Sequence, residues 1–159
     1  MKKRKLLKIL AALIVTGIVI AGGTFIYMFN MPHRDIQSTN ADYSVTSTEI
    51  VNEYLLDTDV ANQKYLAKDG ESKILQIKGV ISKISEDFNG QKVVLLKNEN
   101  DKAGVNATLT SESNELVSEL QIGETIIIKG VIRAGAAYNE DLEMYENVIL
   151  EKANIVSKK

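Results

Sequence analysis

Two segments of this 159-residue sequence determine how the rest is interpreted: ILQIKGVISKI at residues 74–84 and TIIIKGVI at residues 125–132. Both are rich in β-branched residues, which favour strands. They share the sequence Ile-Lys-Gly-Val-Ile, centred on Gly79 and on Gly130, and this repetition predicts that the two strands pair. Because glycine weakens a strand, its presence in both copies predicts a bulge or a sharp bend, which a small sheet needs in order to close into a barrel.

Three further strands are predicted around this pair. An Asn-Gly pair ending at Gly90 is the strongest short hairpin signal, and VVLL at residues 93–96 is the returning strand. Residues 105–110, VNATLT, alternate between apolar and polar side chains and form the third strand. A loop at residues 134–141 precedes the fifth strand, at residues 144–156. The predicted sheet therefore has five strands.

A short helix is predicted between the third and fourth strands. It begins at Ser111 and ends at Gly123. Its inner face carries Leu116, Val117 and Leu120. The resulting order is β-β-β-α-β-β, which is the order of the five-stranded OB-fold barrel. The predicted fold class is therefore all-β with short helices.

A helical segment is predicted immediately before the barrel. Ser47 or Thr48 is the predicted N-cap of a first helix, and Asp57 is the predicted N-cap of a second. Tyr54 and Tyr65 have helical spacing beside other apolar residues. We expect both tyrosines to make core contacts.

The N-terminus has the features of a membrane anchor. Five of the 19 basic residues lie in residues 1–8, and residues 9–33 contain no charged side chain. An apolar helix of about 20 residues crosses a bilayer core, and a basic cluster before it predicts a cytoplasmic N-terminus. We therefore predict a cytoplasmic basic segment at residues 1–8, a transmembrane signal anchor at residues 9–29 and a linker at residues 30–46. The OB-fold domain with its helices, residues 47–157, then lies outside the cytoplasm.

A cleaved signal peptide is the alternative to this anchor, because Ala-Gly-Gly at residues 21–23 is similar to a cleavage site. Apolar residues resume afterwards, and Phe25, Tyr27 and Phe29 cluster where an interfacial aromatic belt is expected. These aromatic residues favour an uncleaved anchor. The predicted protein is a single-pass membrane protein whose domain is periplasmic or at the cell surface.

Composition excludes several kinds of site. The sequence has no cysteine and one histidine, His33, which excludes disulfides, thiolate nucleophiles and clusters of cysteine or histidine metal ligands. No glycine-rich phosphate loop or nucleophile motif is present. The residues after Lys8 carry 14 basic and 21 acidic side chains, a net charge of −7, which opposes binding to phosphates. We predict no enzymatic activity, with no catalytic residue, no metal and no cofactor.

Four motifs carry a resemblance to a known family: ANQKY from Ala61, IKGV from Ile77, LQIGE from Leu120 and IIKGV from Ile127. The sequence resembles the tRNA_anti-like family of small OB-fold proteins, in which a helix ending in Ala-x-x-x-Tyr precedes a glycine-containing first strand. The resemblance covers residues 47–156. It implies the OB fold, and it implies nucleic-acid binding only by analogy of fold. Members of the family often follow a secretion signal or a membrane anchor.

The candidate ligand site lies at two loops of the predicted barrel. OB-folds bind ligands on the face of their second and third strands and between the loops that join strands 1–2 and 4–5. Here those loops are residues 86–90 and 136–141, and we expect them to meet at one rim. The candidate ligand-binding residues are Phe88, Asn89, Lys97, Tyr138 and Asn139.

The predicted function is that of a membrane-anchored, extracytoplasmic binding or interaction module, whose ligand is a protein or an envelope polymer such as a glycan. The alternative is binding of single-stranded nucleic acid, which needs a basic groove and exposed aromatic rings. Five basic residues form a candidate patch for phosphates: Lys83, Lys92, Lys97, Lys102 and Arg133. The acidic balance of the domain, and the absence of aromatic residues from predicted strands 2 and 3, disfavour this alternative.

Overall fold

The structure, a computed structural model, describes residues 2–29, 35–67 and 72–158. The chain divides into two units, Met1–Arg34 and Asp35–Lys159. The first unit is helical, and the second contains the β-strands.

Helix α1 (Lys2–Phe29) is a single helix of 28 residues that contains the predicted anchor. Its side chains are described at Leu13, Ile14 and residues 16–27, and all of these are exposed. Among the residues that the structure describes, no helix has the length and apolar character needed to cross a membrane.

The second unit is built on a sheet that closes on itself. Its strands are β1 (Tyr43–Thr46), β2 (Ile74–Glu86), β3 (Lys92–Leu96), β4 (Val105–Leu109), β5 (Thr125–Ala134), β6 (Ala137–Asn139), β7 (Met144–Glu146) and β8 (Val148–Lys158). The sheet order is β1-β2-β3-β4-β8-β5, and β2 also pairs with β5. Strands β2, β3, β4, β5 and β8 therefore form a closed five-stranded barrel, which confirms the OB-fold prediction. Strands β6 and β7 form a separate hairpin.

The two copies of Ile-Lys-Gly-Val-Ile pair with each other, as predicted. Strands β2 and β5 are antiparallel, with Ile77 opposite Ile128. The register of β5 against β8 shifts between Lys129 and Val131, so the irregularity predicted at Gly130 is present. It lets β5 curve while it pairs with strands on both sides.

Gly79 is needed for a different reason from the one predicted. Its backbone lies outside the left-handed region, and the register shift of β2 against β3 lies further along, between Ile81 and Lys83. A Cβ atom on Gly79 would lie 2.7 Å from Ser47 Oγ and 2.9 Å from Leu96 Cβ. The glycine therefore permits close packing against these two buried residues, and a glycine-only bend is not the constraint.

Two short helices precede the barrel: α2 (Ser47–Leu56) and α3 (Thr58–Tyr65). The N-cap of α2 is Thr46, so the prediction of Ser47 or Thr48 is wrong. Thr46 Oγ1 accepts a hydrogen bond from Glu49 N at 3.1 Å, and Glu49 Oε2 accepts one from Thr46 N at 2.7 Å. This reciprocal capping box fixes the start of the helix. Asp57 caps α3, as predicted, by accepting a hydrogen bond from a backbone N–H of its first turn at 3.0 Å.

Tyr54 and Tyr65 are fully buried, which confirms their prediction as core residues. Their rings stack with centroids 6.0 Å apart, and the ring of Tyr43 meets that of Tyr65 edge-on at 5.3 Å. All three belong to or pack against the same apolar core as the barrel strands. Helices α2 and α3 are therefore part of the folded unit.

Helix α4 (Ser111–Asn114) continues into a 3₁₀ helix (Glu115–Glu119) between β4 and β5. Val117 and Leu120 are buried, as predicted, but Leu116 is 40% exposed. A 3₁₀ helix has three residues per turn, so its inward face differs from that of the α-helix assumed in the prediction.

The predicted linker at residues 30–46 is partly folded. Residues 30–34 lie outside the described residues. Further along, Ile36 is buried against Ile74 and Val131, and β1 pairs with β2 in parallel. The described part of this segment therefore belongs to the barrel unit, which begins at Asp35.

The fifth barrel strand begins later than predicted. Residues 134–141, predicted as a loop, contain β6, and the first residues of the segment 144–156 form β7. Tyr138 lies opposite Tyr145 in this hairpin. Strand β8 then starts after Asn147. Cross-strand pairing of two aromatic residues stabilises such a hairpin. Because this pairing joins residues seven positions apart, the alternation of side chains along a single strand does not predict it.

Candidate functional site

The two loops that were predicted to meet lie at opposite ends of strands β3 and β4. Residues 87–91 lead into β3, and Gln91 Nε2 donates to Leu109 O, at the end of β4, at 3.2 Å. The chain between β5 and β8 meets the start of β4, where Gly104 N donates to Asn147 Oδ1 at 2.7 Å. The prediction of a common rim is therefore wrong, and the five candidate residues do not form one site.

Phe88 and Asn89 lie on a tight loop. Asp87 Oδ1 accepts hydrogen bonds from Asn89 N at 2.9 Å and from Gln91 N at 2.8 Å, and Gly90 has a φ of 77°. The loop leaves the Phe88 ring fully exposed, and Asn89 lines a polar depression beside β4 and β8. Phe88 therefore does not cover the end of the barrel.

Lys97 lies neither on the Phe88 loop nor beside the β6–β7 hairpin. It lines a separate groove of about 510 Å³. Val80, Leu95 and Ile122 contribute apolar walls to this groove. Lys97 Nζ donates a hydrogen bond to Lys102 O at 3.3 Å. The ammonium group thus supports the loop between β3 and β4.

The candidate phosphate patch is reduced by internal ion pairs. Lys92 pairs with Glu86, and Arg133 Nε lies 2.9 Å from Glu151 Oε2. Each pair neutralises a cation that a phosphate would otherwise meet. Two of the five predicted basic residues are therefore already partnered by carboxylates.

A different cavity lies where the β6–β7 hairpin meets α2, and we call it the tyrosine cleft. Its volume is about 360 Å³, and it is lined by Tyr54, Leu55, Thr58, Lys102, Ala137, Tyr138 and Tyr145. Helix α2 supplies Tyr54, the hairpin supplies the other two tyrosines, and the loop between β3 and β4 supplies Lys102. Of the five candidate residues, Tyr138 is the one that lines this cleft.

The hairpin presents a pair of tyrosine rings. The centroids of Tyr138 and Tyr145 are 4.9 Å apart and their planes are tilted by 56°. Tyr138 is 50% exposed, so one part of its ring is available to a ligand. Lys102 Nζ lies 5.5 Å from the centroid of Tyr145, within the range of a cation–π interaction.

Tyr54 is the buried tyrosine of the cleft. A Cβ atom on Gly135 would lie 1.9 Å from Tyr54 Cε1, so only glycine allows the chain after β5 to pass this ring. The Tyr54 hydroxyl is buried and has no hydrogen-bond partner among the described residues. Burial, with smaller contributions from Tyr65 and Glu53, raises the pKa of Tyr54 to about 12. The hydroxyl therefore stays protonated at neutral pH.

Asn139 holds the hairpin together. Its Oδ1 accepts a hydrogen bond from Leu142 N at 3.1 Å, and its Nδ2 donates to Glu146 Oε1 at 2.8 Å. Glu143 adopts a φ of 50°, which completes the turn. The side chain of Asn139 is thus engaged within the hairpin, where it positions Tyr138 beside it.

Two of the three chain segments that line the cleft are acidic. Residues 54–59 and 134–147 together contain no basic residue. Their acidic residues are Asp57, Asp59, Glu140, Asp141, Glu143 and Glu146. Within the lining itself, Lys102 supplies the positive charge. None of these carboxylates is among the described residues that line the cleft.

Six of the seven lining residues, all except Tyr138, are not among the predicted site residues. Tyr54 was assigned to the core, Lys102 to the phosphate patch, and Tyr145 to a strand. The signal that identifies the hairpin is local. Tyr138 lies two residues before the acidic turn at residues 140–143, and Tyr145 lies two residues after it. No local signal connects this hairpin to Tyr54.

The tRNA_anti-like family matches residues 1–140 of the chain. Three solved structures show limited similarity. The OBody NL8 bound to hen egg-white lysozyme is 15% identical, covering 54% of this chain and 97% of its own, with a TM-score of 0.37. Entamoeba histolytica asparaginyl-tRNA synthetase in complex with asparaginyl-adenylate is 18% identical, and the match covers 55% of this chain and 21% of the synthetase chain, with a TM-score of 0.38. The structure of yeast Stn1 and Ten1 is 12% identical, and the match covers 77% of this chain and 66% of the matched chain, with a TM-score of 0.34. No curated protein sequence matches the chain significantly.

Proposed function

The chain belongs to the tRNA_anti-like family, and we propose that its OB-fold barrel is a non-catalytic binding module, held at a membrane and displayed outside the cytoplasm. Its ligand is a protein or an envelope polymer. The tyrosine cleft is the observation that carries this proposal.

The cleft supports a binding role because it combines concave shape with exposed aromatic surface. Tyrosine rings supply large contact area at a low cost in conformational entropy, and their hydroxyls add polar contacts. Tyr138 is half exposed on the hairpin and lines the cleft. The hairpin and α2 are additions to the five barrel strands, and the cleft lies between them.

The membrane anchor is supported by α1. Leu13, Ile14 and Ile18 expose 64%, 56% and 66% of their surface, and residues 9–28 form a mostly apolar run without charge. Apolar side chains gain about 25 cal/mol for each Å² removed from water. A bilayer provides that burial, and the basic residues before the run favour a cytoplasmic N-terminus.

Protease accessibility tests the proposed orientation. The full chain carries one epitope tag at each end and is expressed in a bacterium with the outer envelope made permeable. We expect added protease to remove the C-terminal tag while the N-terminal tag stays protected. Protection of the C-terminal tag until the membrane is dissolved would refute an extracytoplasmic barrel.

Site-specific photocrosslinking tests the binding module. A photoreactive phenylalanine analogue replaces Tyr138 in the full chain, and the matched control carries it in place of Phe88, the exposed ring at the other end of β3. We expect a discrete adduct from position 138 that position 88 does not form. A nuclease-sensitive adduct would favour the nucleic-acid alternative, and equal labelling from both positions would remove the cleft as the binding site.

A further inference from the structure

We infer that the tyrosine cleft binds a carboxylate side chain, a glutamate or aspartate that stands beside a large apolar residue in a segment of a partner protein. This inference rests on the proposed function and names the ligand class of the same site. It follows from the one charged side chain of the cleft, from the exposed tyrosine ring, and from a second tyrosine cluster in which a lysine already binds a carboxylate.

That second cluster lies on β1, α2 and α3. Lys64 Nζ lies 4.7 Å from the ring centroid of Tyr65 and 5.4 Å from that of Tyr43. The same ammonium group pairs with Glu53 Oε2 at 2.8 Å, and Tyr65 Oη donates a hydrogen bond to that oxygen at 2.9 Å. In this protein, therefore, a lysine that lies over tyrosine rings also binds a carboxylate.

The tyrosine cleft contains the same combination of lysine and tyrosine rings. Lys102 Nζ lies 5.5 Å from the ring centroid of Tyr145, and the rings of Tyr145 and Tyr138 are 4.9 Å apart. Within the described part of the chain, no carboxylate pairs with Lys102, whereas Lys64 and Lys92 each pair with one.

Lys102 is also the one charged side chain among the described residues that line the cleft. An ammonium group has three hydrogen-bond donors and no acceptor. Its contact with the face of one ring leaves these donors available to an anion. The charge of the cleft lining therefore complements a negatively charged ligand group.

The neighbouring segments limit how many negative charges that ligand carries. Residues 54–59 and 134–147 contain six carboxylates and no basic residue, and charges at a surface interact over about 8 Å at physiological ionic strength. One carboxylate gains an ion pair with Lys102. Each further charge of a polyanion meets no second cation in the described lining and is repelled by the acidic segments. The charges thus favour a single acidic side chain over nucleic acid or an acidic polymer.

Tyr138 supplies a surface for the apolar neighbour of that acidic side chain. Half of this residue is exposed, and Leu55 adds an apolar side chain to the same lining. A tyrosine ring offers a large apolar face to an aliphatic or aromatic group. The cleft volume of about 360 Å³ is near the lower end of ligand pockets, about 300–1,000 Å³. This size suits a short segment of a partner.

The test uses the full chain in nanodiscs of zwitterionic lipid, so that the bilayer carries no net charge. The probe is a fluorescent Gly-Ser peptide with blocked ends and a central Glu-Leu pair. Its control has Gln-Leu, which preserves the shape without the charge. Fluorescence anisotropy measures Kd. We expect the glutamate peptide to bind about two- to fivefold more tightly than the glutamine peptide, as for an exposed ion pair.

Three variants at charged positions identify the group that recognises the carboxylate. Lys102→Met keeps an unbranched side chain of similar length and removes the charge, so the two peptides should bind alike. Lys102→Arg keeps the positive charge and should keep the preference for glutamate. The matched control, Lys83→Met, removes an exposed lysine that is not part of the cleft lining, and the preference should persist.

Tyr138→Ala tests the apolar contact separately from the charge. It should weaken both peptides by about 2- to 10-fold, as expected for the loss of an aromatic contact, and should leave their ratio unchanged. Unchanged circular dichroism would show that each variant is folded.

Several outcomes would overturn the inference. They are no binding of the glutamate peptide, equal binding of the two peptides, a preference for glutamate that persists in Lys102→Met, and tighter binding of oligothymidylate or polygalacturonate. Any of these results, combined with a specific crosslink from position 138, would leave the binding module in place and reject only its carboxylate ligand. Absence of both peptide binding and the crosslink would reject both proposals.

Discussion

The substitution Gly135→Ala tests how the fold builds the cleft. The added Cβ would lie 1.9 Å from Tyr54 Cε1, 2.1 Å from Cδ1 and 2.5 Å from Cζ. Carbon atoms in favourable contact are about 3.5–4.0 Å apart, so the ring has to move by roughly 1.6 Å or more. Tyr54 is fully buried and stacked on Tyr65, which leaves little space for that movement.

The expected cost follows from these contacts. Inserting one methyl group into a packed core costs about 1–3 kcal/mol of folding stability. The Cβ atom is fixed to the backbone and would overlap three atoms of the Tyr54 ring, so we expect a cost at the upper end, about 3 kcal/mol. In a unit of this size that corresponds to a decrease in Tm of about 10 °C. Urea unfolding of the full chain, followed by circular dichroism, measures the free energy of unfolding.

A double-mutant cycle with Tyr54→Ala identifies the cause. Tyr54→Ala alone removes a buried ring and should cost about 3–5 kcal/mol. In that background Gly135→Ala meets an empty space, so its own cost should fall to about zero or become favourable. An unchanged cost of Gly135→Ala without the ring would refute the steric explanation.

Three further predictions concern other positions. Gly79→Val should lower the free energy of unfolding by about 2–3 kcal/mol through overpacking against Ser47 and Leu96; a urea midpoint equal to that of the wild type would show that the site accommodates the side chain. The N-cap hydrogen bond holds the pKa of Glu49 below its usual value. The stabilisation that the ionised Glu49 carboxylate provides is therefore complete above about pH 4.3, the pKa of a glutamate in the unfolded chain. It is lost as the pH falls through the lower pKa of the folded state. Glu49→Gln should remove that part of the pH dependence of unfolding, and identical acid profiles would contradict it. Tyr54→Phe removes a buried hydroxyl that has no partner among the described residues, so stability should be unchanged or higher; a loss above about 1 kcal/mol would mean that the hydroxyl is hydrogen-bonded.

Most of the barrel was predictable because its signals are local. The β-branched runs predicted β2 and β5, their shared sequence predicted that they pair, and an Asn-Gly pair predicted the β2–β3 hairpin. Asp57 was also identified as an N-cap, since a side chain that caps a helix bonds to a backbone group within the next turn. Apart from the pairing of β2 with β5, which rests on a repeated sequence, each of these predictions depends on residues near one another in sequence.

The candidate site was predictable only at Tyr138. Phe88 and Asn89 were placed on the same rim as Tyr138 from the general OB-fold arrangement, but strand register puts them at the other end of β3 and β4. Register depends on the pairing of whole strands, and a loop's own residues do not reveal it. The pairing of Lys92 and Arg133 with carboxylates likewise depends on cross-strand neighbours.

The five barrel strands and their order along the chain, the acidic charge and the apolar N-terminal run could all be predicted from the sequence. The tertiary structure was needed to show that Tyr54 lines the same cleft as Tyr138 and Tyr145, more than eighty residues further along the chain. It was also needed to show that Gly79 and Gly135 permit close packing. The physical reason is that propensity and periodicity act between neighbours in sequence. A cleft and a steric limit, by contrast, arise only when curved strands bring distant side chains to the same place.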